Sequence, residues 1–379
     1  MSFSREIINK LAQISGIEIG IDIIVNDERF YDRVFKDDSL GFGESYVLGW
    51  WDAGAMELDE IFYRISKANI KNKLYDLSFY SKAKLVSLKL YNYWFPVNSI
   101  EESKVVAVQH YNLGNELYEM MLEPMIYSCA YFRSPSDSLY QAQINKMELI
   151  SKKLKIESGT RVLDIGCGWG ELAFYLSENN VFVDGITISE EQFQYAQQKF
   201  SSDYVKFHLV DYREFAPSYQ YDAIVSVGMF EHVNSNNYKE FMEIVHKLLK
   251  PGGLFLLHTI GSNISTNICD RWINKYIFPN SALPSIAQIA SSSEGKFVIE
   301  DVHNIGPHYD KTLMCWYNNF TKNFDKINSK RETPFSNEFF RMWSYYLLAC
   351  AGSFRARNIQ LYQVVLSKES DDAYQRPNF

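Results

Sequence analysis

The chain has 379 residues, 46% of them hydrophobic, which suits about two domains with a sizeable buried core. A net charge of −8 disfavours general nucleic-acid binding. Five cysteines, Cys129, Cys167, Cys269, Cys315 and Cys350, are scattered without paired spacing, which argues against a disulfide framework and against a metal site.

The N-terminal Met1-Ser-Phe-Ser-Arg-Glu6 lacks an apolar signal core, and no run of about 18 uncharged apolar residues follows, so a cytoplasmic protein without a transmembrane helix is expected. Residues 1 to about 100 read as a small, mainly helical domain. Ile17, Ile19, Ile21 and Ile23 alternate with Glu18, Gly20 and Asp22, which predicts a strand over Ile17–Val25. Gly41-Phe-Gly-Glu-Ser-Tyr46 reads as a glycine-punctuated turn leading to Trp50-Trp51. Adjacent tryptophans cannot share one face of an element. From Ile61 to Phe95 seven basic residues face Asp76 alone, a local +6 interleaved with aromatics. Such a stretch fits an anionic lipid surface, and equally an ordinary solvated helix face. Pro96 breaks the pattern and puts a boundary near residues 96 to 105, giving domains 1–100 and 101–379.

The second domain starts with a turn and helix at His110–Tyr118, a short polar-tipped segment at Tyr127–Phe132 and a helix at Leu139–Leu154. Val162-Leu-Asp-Ile-Gly-Cys-Gly-Trp-Gly170 then reads as a buried parallel strand, a glycine turn and a helix start, the first crossover of a nucleotide-binding fold. The Gly-x-Gly-x-Gly spacing of Gly166, Gly168 and Gly170, with Asp164 inside the strand, disfavours a dinucleotide. Further strands are predicted at Val181–Ile186, Val205–Val210, Asp222–Val227, Leu254–His258 and Ile359–Leu366. Ser189-Glu-Glu-Gln192 has capping-box spacing, and Lys250-Pro-Gly-Gly253 breaks a helix. Strands alternating with helices predict an α/β, mostly parallel, Rossmann-like sheet. About a hundred residues separate Gly261 from the last strand. This aromatic-rich helical insertion suits either an apolar roof over the ligand crevice or a plain extra layer.

The glycine pattern with Asp164 resembles the first motif of class I S-adenosylmethionine-dependent methyltransferases. With it, Gly41–Tyr46 and Gly49-Trp-Trp51, His110–Asn115, Tyr127–Tyr131, Val225–Val233, Leu257–Gly261, Trp272–Asn280, Tyr309-Asp310 and Cys350–Arg357 resemble the cyclopropane-fatty-acyl-phospholipid synthases over nearly the whole chain. Ser281 and Arg271 depart from that pattern, where glycine and proline are usual, and affect only local loop shape.

The resemblance implies methylene transfer from S-adenosylmethionine to the cis double bond of a phospholipid acyl chain, through a carbocation deprotonated by bound bicarbonate. It implies Cys129, Glu231, His258, Ile260 and Tyr309 around that anion, with His232 beside them and Cys350 of undecided role. For the cofactor it implies Tyr127, Ser128, Asp164, Gly166, Gly168 and Gly170, with Thr187 and Gln192 at the ribose and Tyr212 and Arg213 by the adenine. It also implies a homodimer bound peripherally to the inner face of the membrane. Mycolic-acid cyclopropane synthases lack a counterpart of residues 1–100. Plant alkaloid N-methyltransferases, which resemble the catalytic part and share the Glu-His pair, would not need the N-terminal domain with its basic stretch. A lipid-binding or cofactor-sensing protein would need no base.

Overall fold

In the computed structural model the described residues are 2–68, 113–267, 269–370 and 373–378. Most of the basic stretch, and the first part of the His110–Asn115 motif, lie outside them. Along the chain the elements run α1 (Phe3–Ile14), β1 (Ile23–Val25), α2 (Arg29–Val47), β2 (Trp51–Ala53) and α3 (Leu58–Ala68). Past the undescribed segment come α4 (Asn115–Met121), α5 (Leu139–Lys153), β3 (Arg161–Ile165), α6 (Glu171–Ser177), β4 (Phe182–Thr187), α7 (Glu190–Phe200), β5 (Val205–Leu209) and β6 (Tyr221–Val227). Then follow α8 (Tyr238–Leu248), β7 (Leu249–Ser262), α9 (Arg271–Tyr276), α10 (Ile286–Ser293), β8 (Val298–Asn304), α11 (Pro307–Ser329), α12 (Asn337–Arg355) and β9 (Ile359–Ser367). They form two compact units, each discontinuous in sequence. One gathers Met1–Val97, Ile268–Pro279 and Leu313–Ile359; the other gathers Asn98–Asn267, Asn280–Thr312 and Gln360–Phe379.

The second unit is built on a seven-stranded sheet in the order β5-β4-β3-β6-β7-β9-β8. The pairs β4–β5, β3–β4, β3–β6 and β6–β7 are parallel, and β8 pairs antiparallel with β9. Val162, Leu163, Ile224, Val225, Leu256 and Leu257 are fully buried, as expected for strands covered by helices on both faces. Strand order reverses between β3 and β6, so a crevice opens beyond their C-terminal ends. Lys250–Gly253 does not simply precede the fifth strand. It bulges within β7, whose pairing jumps from Tyr221↔Leu249 to Ala223↔Leu254. The edge strand β8 escaped the sequence reading because Val298, Ile299 and Val302 stay exposed and alternate with no polar face.

In the first unit two expectations are corrected. The alternation from Ile17 gives only the short β1, because Gly20 sits at φ +101 in a turn that bridges Ile19 to Ile23. Gly41–Tyr46 is not a turn but the last part of α2. Its glycines admit close neighbours rather than a change of direction: a Cβ on Gly41 would lie 2.3 Å from the Arg33 carbonyl oxygen, and one on Gly43 2.3 Å from Trp272 Cδ1. The chain kinks earlier, at Asp38, where φ is +51.

Trp51 is fully buried, stacks on Phe42 at 4.4 Å and donates Nε1–H to the Phe42 carbonyl at 3.0 Å. Trp50 stays half-buried under the Arg29 guanidinium. The insertion's aromatics pack into this unit, with Trp272 and Phe62 both against Tyr345. Glu44 accepts hydrogen bonds from Lys275, Tyr276 and Arg33. Burial alone would raise its carboxyl; these donors hold it down to about 2.

Gly43→Ala should therefore destabilise this unit although alanine is the better helix former by roughly 1 kcal/mol. The clash meets a fully buried indole, and overpacking of this kind costs about 1–3 kcal/mol. A lower thermal midpoint in calorimetry is expected; a raised midpoint would show that Trp272 yields.

Candidate active site

The turn after β3 holds all three glycines in left-handed backbone, with φ of +82 at Gly166, +57 at Gly168 and +89 at Gly170. Their surroundings differ. A Cβ on Gly168 would meet nothing within 4 Å and would project into open space. On Gly166 it would lie 2.7 Å from Met229, and on Gly170 2.7 Å from the Phe207 ring and 3.0 Å from Ala196. Gly166 and Gly168 line the crevice; Gly170 lets α6 settle on β5 and α7. Trp169 Nε1 donates to Asn115 Oδ1 at 2.8 Å, tying the turn to α4.

The crevice encloses about 1300 Å³ including its open mouth. Of the residues expected at the cofactor, Tyr127, Ser128, Asp164, Gly166, Gly168, Thr187, Gln192, Tyr212 and Arg213 line it, and His232 joins them. At the tip of β4, Thr187 Oγ1 donates to Gln192 Oε1 at 3.2 Å and accepts from Ser189 N. Ser189 Oγ caps Gln192 N at 3.4 Å, so only half of the capping box forms and the Gln192 side chain turns to Thr187 instead. Beyond β5, Arg213 is clamped by two hydrogen bonds to Asp211, of 2.8 and 2.7 Å. Burial raises the Tyr212 hydroxyl well above its usual range.

Two polar groups here were not foreseen. Asp211 is buried and lines the crevice. Lys146, on α5, is 1% exposed, lines the crevice and donates Nζ–H to Ser128 Oγ at 2.7 Å. Burial pulls its ammonium down to about 7, against the attraction of Cys129 and Asp164. Burial likewise pushes Asp164 up to about 7, against Lys146, and its Oδ2 has no hydrogen-bond partner among the described residues. A lysine in a helix reads as solvated surface; its place among Ala142, Gln143 and Asn145, all buried, was the available signal.

A second cluster lies at the ends of β6 and β7. Val227 pairs with His258, and Gly228 N donates to the His258 carbonyl. The 3₁₀ turn Phe230–His232 then brings Glu231 over β7, where Oε1 accepts from Ile260 N at 2.6 Å. Oε2 is buried and has no hydrogen-bond partner among the described residues. Burial lifts this carboxyl to about 7 against the Ile260 and Thr259 hydrogen bonds, and it drops His232 to about 4. His258 is 1% exposed; burial, then the Lys146 and Lys153 charges, hold it well below its usual value. Gln363 Nε2 lies 3.2 Å from its Nδ1, and its Nε2 is buried without a partner among the described residues.

Cys129 is fully buried on the segment facing α11. There Ala130 N donates to Thr312 Oγ1 at 3.1 Å, and the Cys129 thiol lies 3.9 Å from the same oxygen. Burial pushes the thiol up to about 12. Tyr309 is buried one helical turn before Thr312. The structure thus joins Glu231 to Ile260 directly, sets His258 beside them on β7, and lines up Cys129 and Tyr309 along α11. Cys350 belongs to the other unit. Gln363 and Thr312, also part of these contacts, were not read from the sequence because each acts only through a partner distant in the chain.

S-adenosylmethionine suits the first crevice: Gly168 leaves room for close approach, and the Asp164 oxygen awaits a donor. Sheet order, glycine turn and crevice together are those of a class I S-adenosylmethionine-dependent methyltransferase. A family model described as mycolic acid cyclopropane synthetase matches residues 98–364. The chain is 46% identical over 368 residues to the cyclopropane-fatty-acyl-phospholipid synthase of Escherichia coli, covering 96% of this chain and 93% of that one. The mycolic acid cyclopropane synthase CmaA1, solved with SAH and CTAB, superposes with a TM-score of 0.63 at 32% identity, over 69% of this chain and 97% of the other. Coclaurine N-methyltransferase, at 20% identity and a TM-score of 0.69 over 86% of this chain and 98% of that one, shares the fold. The chain belongs to the cyclopropane synthase family and is an S-adenosylmethionine-dependent enzyme. Among the described residues no helix is long and apolar enough to cross a membrane.

Gly168→Val should abolish binding of S-adenosylhomocysteine while the protein stays folded. The side chain would enter the open crevice, and a β-branched residue is an outlier at φ +57. Isothermal titration with a circular-dichroism control decides: near-normal affinity in a folded variant would place the cofactor elsewhere.

Proposed function

We propose that this enzyme adds a methylene across the cis double bond of unsaturated phospholipid acyl chains, forming cyclopropane fatty acids. The observation that carries this reading is the 46% identity to the Escherichia coli phospholipid enzyme across 96% of this chain. The curated mycolic acid relative from Mycobacterium tuberculosis spans only 68% of it.

S-adenosylmethionine supplies an electrophilic methyl carbon, and bicarbonate, held among Glu231, His258, Ile260, Cys129 and Tyr309, supplies a base. The chain's own groups suit a cationic intermediate. The Cys129 thiol stays protonated and is a poor nucleophile toward a carbocation. Burial keeps His258 neutral, and Gln363 holds the ring through its Nδ1, leaving Nε2 without a partner among the described residues. Burial lifts Glu231 to about 7, so that in its protonated form it can donate from Oε2 to an anion, while Ile260 fixes Oε1. Burial of all three excludes water that would quench the cation. Residues 1–100 serve as the lipid-associating domain of a peripheral, homodimeric enzyme acting from the cytoplasmic face, supported by the basic stretch with interleaved aromatics that they contain from Ile61 to Phe95.

Lipid mass spectrometry of cells expressing the protein tests the reaction. Modified chains should gain one CH₂ unit and lose their double bond; unchanged acyl chains with a methylated amine would favour N-methylation. Glu231→Ala and His258→Ala should lose turnover by roughly 10²–10⁴-fold, the usual loss for a mispositioned base, and keep S-adenosylhomocysteine affinity. Added bicarbonate should partly restore them by mass action. Equal wild-type rates in carbonate-free and carbonate-supplemented buffer at fixed pH would remove bicarbonate from the mechanism.

Membrane binding should weaken with salt, since exposed charges are screened within about 10 Å at 0.1 M. Co-sedimentation with anionic vesicles after changing Lys82, Lys84 and Lys89 to Gln should show reduced binding at low salt. Unchanged binding would assign these lysines to ordinary surface.

A further inference from the structure

The crevice contains a buried lysine to which the reaction gives no task. Lys146 Nζ carries three donors, and among the described residues its one hydrogen bond is to Ser128 Oγ, at 2.7 Å. It makes no ion pair there, although it is 1% exposed. Buried ammonium groups are costly unless an anion meets them. Asp164 also acts on it electrostatically but forms no ion pair with it, and its own Oδ2 has no hydrogen-bond partner among the described residues. Both side chains line the same space. The pair is a dipole set for a zwitterion rather than a closed salt bridge.

Its place narrows the choice further. Thr187 and Gln192 sit at the tip of β4, and Asp211 and Arg213 follow β5. Arg213 is already satisfied by Asp211, and Glu171 by Lys199. Ser128 lies on the opposite side of the glycine turn, with its Cβ 3.9 Å from the position of a Cβ on Gly228 at the end of β6. A cofactor whose nucleoside lies toward β4 and β5 extends its amino-acid arm toward Ser128 and Lys146. The α-carboxylate is the anionic group of S-adenosylmethionine.

We propose that Lys146 binds the α-carboxylate of S-adenosylmethionine, held in place by Ser128, and acts as a positioning residue for the methionine arm. The proposal rests on the crevice being the cofactor site. Fixing that arm sets the direction in which the sulfonium methyl points, so Lys146 governs alignment without touching the transferred carbon.

The test is isothermal titration of S-adenosylhomocysteine and its decarboxylated analogue, which differ only in the carboxylate, into wild type and Lys146→Met. Wild type should prefer the carboxylate ligand by roughly 10–100-fold, the range of a charge-assisted hydrogen bond. Lys146→Met should lose that preference and bind the decarboxylated analogue as wild type does. A preference that persists in the variant, or its absence in wild type, overturns the proposal. An equal fall for both ligands overturns it too, because it assigns Lys146 a merely structural role. If Lys146→Met does not fold, Ser128→Ala removes the tether and keeps the cation; an undiminished preference there overturns the arrangement. A wild type that binds neither ligand refutes the cofactor reading itself.

Discussion

At Gly168 the backbone turns through φ +57 with open space where a side chain would stand, and two residues on, a side chain at Gly170 would strike Phe207. The catalytic unit hangs on this left-handed turn. Its outer edge leaves room for a ligand, and its inner edge brings α6 down onto the neighbouring strand. A Cβ on the outer edge would project into the open crevice, and one on the inner edge would strike Phe207. Because β3 lies where strand order reverses, the same turn also places Asp164 in the crevice wall and, through Trp169 and Asn115, is tied to α4.

Around it the chain buries polar groups in their uncharged or barely charged forms. Burial raises Glu231 and Cys129 and lowers His258 and His232. The shared cause is desolvation, which disfavours whichever form carries charge. A site made this way offers weak nucleophiles and dry walls. Hydrogen bonds to backbone, such as Ile260 N–H to Glu231, fix orientation without adding a competing charge.

Much of the catalytic unit was legible from periodicity, since buried parallel strands read as apolar runs and the glycine turn has fixed spacing. The strand ends shifted by a residue or so, except at β7, where a bulge absorbs Lys250–Gly253 inside a strand. Local patterns misled where tertiary packing overrode them. Gly41 and Gly43 look like a turn, but they are helical because Arg33 and Trp272 need their space. Lys146 looks like surface, and only the folded crevice shows its burial. Gln363 and Thr312 carry no local signal at all, because their meaning is a contact with a residue 105 or 183 positions away.

The first unit is assembled from residues 1–97, 268–279 and 313–359, with Trp272 and Tyr345 in its aromatic core. During synthesis its N-terminal helices therefore emerge long before the segments that cover them. Their partners in that core, Trp272 and Tyr345 among them, are made only when most of the polypeptide has been synthesised. Cutting the gene after residue 97 would yield a fragment without the segments that carry Trp272 and Tyr345.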